Sequence, residues 1–172
     1  FWLGNIRELE NLLTEIGLTP NTIFGYQRGI ENINKIPHAE FNLLVSPWVG
    51  LKNMKTMEKT LGIPYLHYPV LPVGATETGK FLREVGKFAN IDEGKVEAVI
   101  KKHEDYFYYL ISRYADLFLE NRVINKQFSV VADAQYSLAI TKFLVNDLGL
   151  TPAKQFVTDD TPKEYQEAIK AE

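Results

Sequence analysis

Residues 41–85 narrow the fold most, because apolar runs of strand length alternate there with apolar residues at helical spacing. FNLLV, residues 41–45, is long enough for a buried strand and is broken by Ser46-Pro47-Trp48. Leu51, Met54, Met57 and Leu61 then step by three and four, and Gly62 stops that helix. IPYLHYPVL follows as a second strand and VGATETGKFL starts a second helix. This is β-α-β-α grammar, the grammar of parallel sheets. Ligands of open parallel sheets gather beyond the carboxyl ends of the strands, so any chemistry belongs in the turns after Val45 and Leu71.

One junction recurs three times along the chain. Helices carrying Ile6, Leu9, Leu13 and Ile16, then residues 51–61, then Tyr136, Ile140, Phe143, Leu144 and Leu148, close at Gly17, Gly62 and Gly149. Glycine accepts the left-handed conformation that ends a helix, and the apolar residue after each (Leu18, Ile63, Leu150) packs back on the last turn. Pro20, Pro64 and Pro152 bar continuation, and strands are expected at 22–26, 65–70 and 154–158. GLTP recurs at 17–20 and 149–152, which fits either a duplicated α/β unit or repeated use of one good cap.

Between these units a long helix is expected over residues 92–120, with Asp92 as its cap. Val96, Ile100, His103, Phe107, Leu110, Tyr114 and Leu117 form a seam, widened by Tyr106, Tyr108, Tyr109 and Phe118. At about 40 Å such a helix can bridge two α/β units or meet another subunit, so self-association is expected. Residues 121–126 read as a boundary, after which FSVVAD opens the second unit with Asp133 at its end. The expected architecture is α/β, with Rossmann-like three-layer αβα units built on parallel sheet. These occupy residues 1–91 and 122–172, joined by the helix of residues 92–121.

Composition removes several classes of function. The 172 residues carry a net charge of −3 with basic and acidic residues interspersed, which leaves no basic stripe for nucleic acid or anionic lipid. No apolar run approaches the roughly 18 residues of a membrane span, and a cytoplasmic location is expected. From the start at Phe1 and the end within an apparent helix, a piece of a longer protein is expected. There is no cysteine, which excludes disulfides and thiolate-held zinc or iron–sulfur sites within these residues. His38, His67 and His103 lie far apart and do not form a local metal motif, so no metal or cofactor ligand set is expected here.

Residues 74–80, GATETGK, satisfy the spacing of a phosphate-binding loop after an apolar strand. Residue 81 is Phe where magnesium would need a hydroxyl, and Glu77 would sit among the phosphates. A helix capped by Thr76, with Phe81, Leu82, Val85 and Phe88 as its buried face, accounts for the same residues. Asp159 and Asp160 before Thr161-Pro162 read as a cap for the last helix.

Three stretches of this chain resemble the nitrogenase component 1 family: NLLVSPWVGLKNM at 42–54, GIPYLHYPVLPVGATETGKFL at 62–82, and FSVVADAQYSLAITKFLVNDLGLTP at 128–152. The resemblance implies the second of three Rossmann-like domains, the connecting helix and the start of the third. Pro47-Trp48 and the pattern of residues 72–82 look more like the beta-type subunit than the alpha-type. Where the alpha-type has a cofactor-ligating cysteine after the strand, this chain has Ser46, a poor ligand for iron. Ser46 and Trp48 therefore stand as cavity-lining candidates for cofactor binding, with a plain turn as the alternative for Ser46. The resemblance further implies an oxidoreductase of the nitrogen-fixation type, in which the isolated piece is inactive. In it, electrons from an ATP-dependent iron–sulfur reductase pass through iron–sulfur or iron–molybdenum-type clusters held elsewhere, with an alpha-type partner in a homo- or hetero-oligomer. Two other readings stand beside it: a cofactor-assembly scaffold, and a Rossmann-like small-ligand module without redox role.

Overall fold

The strand–helix–strand–helix order is present in the computed structural model, which describes residues 2–23, 29–115 and 126–171. Strands β1 (Asn42–Val45) and β2 (Tyr65–Tyr68) pair in parallel, Asn42 opposite Tyr65 and Val45 opposite Tyr68. Helix α3 (Leu51–Leu61) makes the crossover between them, as parallel pairing requires. Around the pair lie α1 (Trp2–Glu15), α4 (Gly74–Phe88) and α5 (Glu93–Arg113). Their shared core contains Leu13, Ile16, Tyr68, Val70, Phe81, Leu82, Val85, Val96 and Ile100. Helix α2 (Ile30–Lys35) and the 3-10 turn Ile36–His38 have no fully buried residue, and the IENINK stretch carries too short an apolar period to announce a helix.

All three glycine stops adopt the left-handed conformation, with φ of +103° at Gly17, +70° at Gly62 and +67° at Gly149. At the first, Gly17 N–H donates to Thr14 O (2.9 Å) and Leu18 N–H to Leu13 O (2.9 Å), the paired bonds of a Schellman cap. The strand expected at 22–26 falls largely outside the described residues; Thr22 and Ile23 are not in a strand.

Two glycines seven residues apart let α4 and α5 approach closely. A Cβ on Gly86 would stand 2.7 Å from Val96 Cγ2, and one on Gly79 would be 3.4 Å from Ile100 Cγ2. Arg83 clamps the pair from outside, with Nε 2.6 Å from Glu97 Oε1 and Nη2 2.9 Å from Oε2. Asp92 caps α5 as expected, accepting from Lys95 N–H at 2.9 Å.

Helix α5 begins where the pattern places it, directly after Asp92. It ends at Arg113 with Tyr114 as its cap, while residues 116–120 lie outside those described. The seam also divides: Val96 and Ile100 are buried, His103 and Phe107 are half-buried, and Leu110 and Tyr114 are exposed. Helix α4, with 15 residues against 21 in α5, runs antiparallel to it, and its contacts reach Val96, Glu97, Ile100 and Glu104. Beyond it Phe107 meets the ring of Phe143 at 6.3 Å, and Tyr106, Tyr108 and Tyr109 face solvent among the described residues.

In the second unit β3 (Gln127–Phe128) pairs in parallel with β5 (Thr151–Pro152), and β4 (Val131–Ala132) with β6 (Phe156–Val157). The single strand expected from FSVVAD is thus split in two. The side chain of Gln155 accounts for the break, since its Oε1 takes the Val130 N–H at 2.9 Å. Helix α6 (Ala134–Asn146) follows β4 and is capped by Asp133, which accepts from Tyr136 N–H at 2.9 Å; α7 (Lys163–Ala171) follows β6.

Glu15 ties α1 to α5. Its carboxyl is held below the usual carboxylate range, first by the Lys102 hydrogen bond (3.0 Å), against the opposing effect of burial, and then by His103 (3.0 Å). A depressed carboxylate stabilises the fold above its unfolded pKa and loses that contribution as pH falls through the folded value. Lys102→Met should therefore lower the melting temperature at neutral pH and narrow the gap between neutral and acid, read by melts at about pH 7 and about pH 3.

Candidate functional site

The turn after β1 is held by its backbone. Ser46 N–H donates to Tyr68 O (3.1 Å), His67 Nε2–H donates to Ser46 O (2.7 Å), and Leu51 N–H donates to Trp48 O (3.2 Å). Gly50, at φ +88°, completes the entry into α3. None of these bonds uses the Ser46 hydroxyl. Ser46 is 5% exposed, and its Oγ and the Trp48 Nε1 are buried without a hydrogen-bond partner.

Two side chains of the second unit reach this turn. Gln135, in the first turn of α6, donates from Nε2 to Val45 O at 3.4 Å. Tyr165, near the start of α7, lies nearly parallel to Trp48, with an interplanar angle of 16° and ring centroids 6.4 Å apart. Both helices begin just beyond carboxyl ends of the second unit's strands. The starts of both helices are thereby brought to the turn at the carboxyl end of β1, the kind of place where ligands of open parallel sheets gather. Ser46 and Trp48 were the residues singled out from the sequence; Gln135 and Tyr165, which the structure brings to the same turn, were not, and their only signal was position near the start of a helix that follows a strand.

The turn after β2 differs from expectation. Thr76 is not the cap of α4; the helix begins at Gly74, Val73 is its N-cap, and Val73 offers no side-chain acceptor. The acceptor comes from across the units: Asp147 Oδ1 takes both the N–H and the hydroxyl of Thr76, each at 3.0 Å. Glu77 is buried, receives the Tyr68 hydroxyl on Oε1 (2.6 Å) and lies 3.7 Å from Lys80 Nζ through Oε2. Phe81, Leu82 and Val85 are buried as expected, whereas Phe88 is 40% exposed because it lies on the edge next to Phe41.

This geometry disposes of the phosphate-loop spacing. Residues 74–80 are helix where a phosphate cradle needs a loop, Gly79 packs on α5, and a carboxylate already occupies the helix start. Calorimetry should show no saturable binding of ATP with magnesium at millimolar nucleotide. Lys80→Ala should shift the melting temperature little, since its side chain is exposed. Micromolar binding lost in Lys80→Ala would overturn this assignment.

Nor do the residues at Ser46 fit an iron–sulfur or iron–molybdenum-type cluster. The turn offers a neutral hydroxyl and an indole N–H, both poor ligands for iron. Among the described residues no group of three or more His, Cys, Asp or Glu is placed to hold a metal ion, and no helix is long and apolar enough to cross a membrane.

A family model described as nitrogenase component 1 type oxidoreductase matches residues 1–172. The chain is 29% identical over 148 residues to the B subunit of light-independent protochlorophyllide reductase from Angiopteris evecta, covering 84% of this chain and 28% of that protein. The same subunit from Chlorokybus atmophyticus is 28% identical over 151 residues, 86% of this chain and 29% of its own length. That of Huperzia lucidula is 26% identical over 153 residues, with 85% and 29% covered. The chain thus spans less than a third of the length of these curated relatives.

Proposed function

The chain belongs to the nitrogenase component 1 type oxidoreductase family, and from that membership we propose that it serves as an α/β portion of a beta-type subunit in a multi-subunit, nitrogenase-like reductase. In this reading an ATP-dependent iron–sulfur reductase delivers electrons, an alpha-type subunit completes the complex, and clusters held by other residues carry the electrons to a reducible substrate. The contribution of residues 1–172 is to build and position. The observation that carries the reading is the family match over the whole chain, supported by parallel strand pairs with helices between them. The relatives are themselves single subunits of a reductase, which supports a partner-dependent activity.

The test is co-expression of the full-length protein with an alpha-type subunit and an ATP-dependent iron–sulfur reductase. Expected are a stable complex containing iron, and substrate reduction that depends on both ATP and the reductase, with protochlorophyllide, dinitrogen and acetylene as trial acceptors. A complex that binds iron and passes it to an apo-reductase without reducing any acceptor favours the assembly scaffold. Failure to associate with either partner favours the small-ligand module. Purified alone, residues 1–172 should be colourless and free of stoichiometric iron or molybdenum. A stable visible cluster band after reconstitution would place ligands within them.

A further inference from the structure

Buried polar groups in folded proteins are almost always satisfied, so two unpartnered ones within three residues ask for the group they are built to meet. Ser46 Oγ and Trp48 Nε1 are such a pair, at the carboxyl end of β1. The turn itself does not require them, because the Ser46 backbone bonds to Tyr68 and His67 and the Trp48 carbonyl accepts from Leu51. Two contacts that reach this turn from the second unit are of the kind that part readily: a 3.4 Å hydrogen bond from Gln135 and a ring stack from Tyr165.

We propose that the seam between the two α/β units is a binding site for a small, flat, neutral group bearing a hydrogen-bond acceptor, such as an amide or carbonyl, received by Ser46 Oγ–H and Trp48 Nε1–H. The indole N–H can only donate, which selects an acceptor. Both orphaned groups are neutral, so an uncharged acceptor loses least on leaving water to meet them. A metal ion is disfavoured because the indole nitrogen carries no free lone pair. The faces of Trp48 and Tyr165 stack on each other at 6.4 Å, so a flat group would take the place of one ring on the other once the stack parts. This site rests on side-chain geometry and not on the reductase reading, so either can fail without the other.

The chain contains two tryptophans, Trp2 and Trp48, and hence two indole N–H signals in a nitrogen-15 correlation spectrum. Trp48→Phe assigns them. Titration with acetamide should shift the Trp48 signal saturably while the Trp2 signal stays in place, and acetate at equal concentration should leave both unmoved. Ser46→Ala keeps the backbone bonds of the turn and should weaken the acetamide response about fivefold, the loss of one neutral hydrogen bond. No response of Trp48 to acetamide, an equal response in Ser46→Ala, or a response to acetate alone would each overturn the proposal.

Discussion

Phe81→Ala should cost about 3–5 kcal/mol, the largest effect of any single truncation expected in this chain. Phe81 is fully buried, and its ring meets the edge of Tyr68 at 5.2 Å and 73°. Truncation opens a cavity between α4 and β2 and frees Tyr68, whose hydroxyl holds Glu77. Phe88→Ala is the matched control. That ring is 40% exposed and touches Phe41 edge-on at 5.2 Å, so its removal should cost about 1 kcal/mol. Urea unfolding of the two variants decides the matter: equal losses would mean that α4 does not present Phe81 to the core.

The second large effect is expected at Gly74. This residue sits at φ +82°, and a Cβ there would collide with Asp147 Oδ2 and Phe143 Cδ2. The backbone conformation costs a non-glycine residue about 1–2 kcal/mol, and overpacking adds about 1–3 kcal/mol. Gly74→Ala should thus lose about 2–5 kcal/mol by the sum of those terms. Asp147→Ala removes the acceptor of two Thr76 bonds and should lose about 1–2 kcal/mol. In the double variant the Asp147 collision is gone while that of Phe143 remains, so its loss should fall short of the sum by about 0.5–3 kcal/mol. Strict additivity would show that Asp147 does not lie over Gly74 in solution.

These two positions illustrate what the sequence made legible and what it did not. The period of residues 51–61 and the glycine stops at 17, 62 and 149 are local signals, and helix ends obey local rules. Phe81, Leu82 and Val85 were readable as core because helical spacing marks a face. Phe88 shared that spacing and failed, since burial also depends on how far the neighbouring elements reach. Asp147 was beyond reach for the same kind of reason: its partner Thr76 is 71 residues away, and nothing near either residue encodes the contact. The break at Val130 was misread because the Gln155 side chain decides it, and that contact is tertiary. At the candidate site the turn was found from strand grammar. Gln135 and Tyr165 needed the second unit to be folded onto it.

Among the described residues, the nine of the main core come from α1, β2, α4 and α5 and from the segments that follow α1 and β2; none comes from the second unit. There, paired strands are two residues long, and Phe156 and Val157 remain exposed. Such an arrangement has two tiers of local stability, because opening free energy follows buried contact and not chain order. Amide protons of α6 should exchange with solvent well before those of α4. The Asp147 contact then gains a kinetic meaning: whenever the second unit opens, the first turn of α4 loses its acceptor and becomes exchange-competent with it. Correlated exchange at Thr76 and at the end of α6 would be the signature of one opening event felt on both sides of the seam.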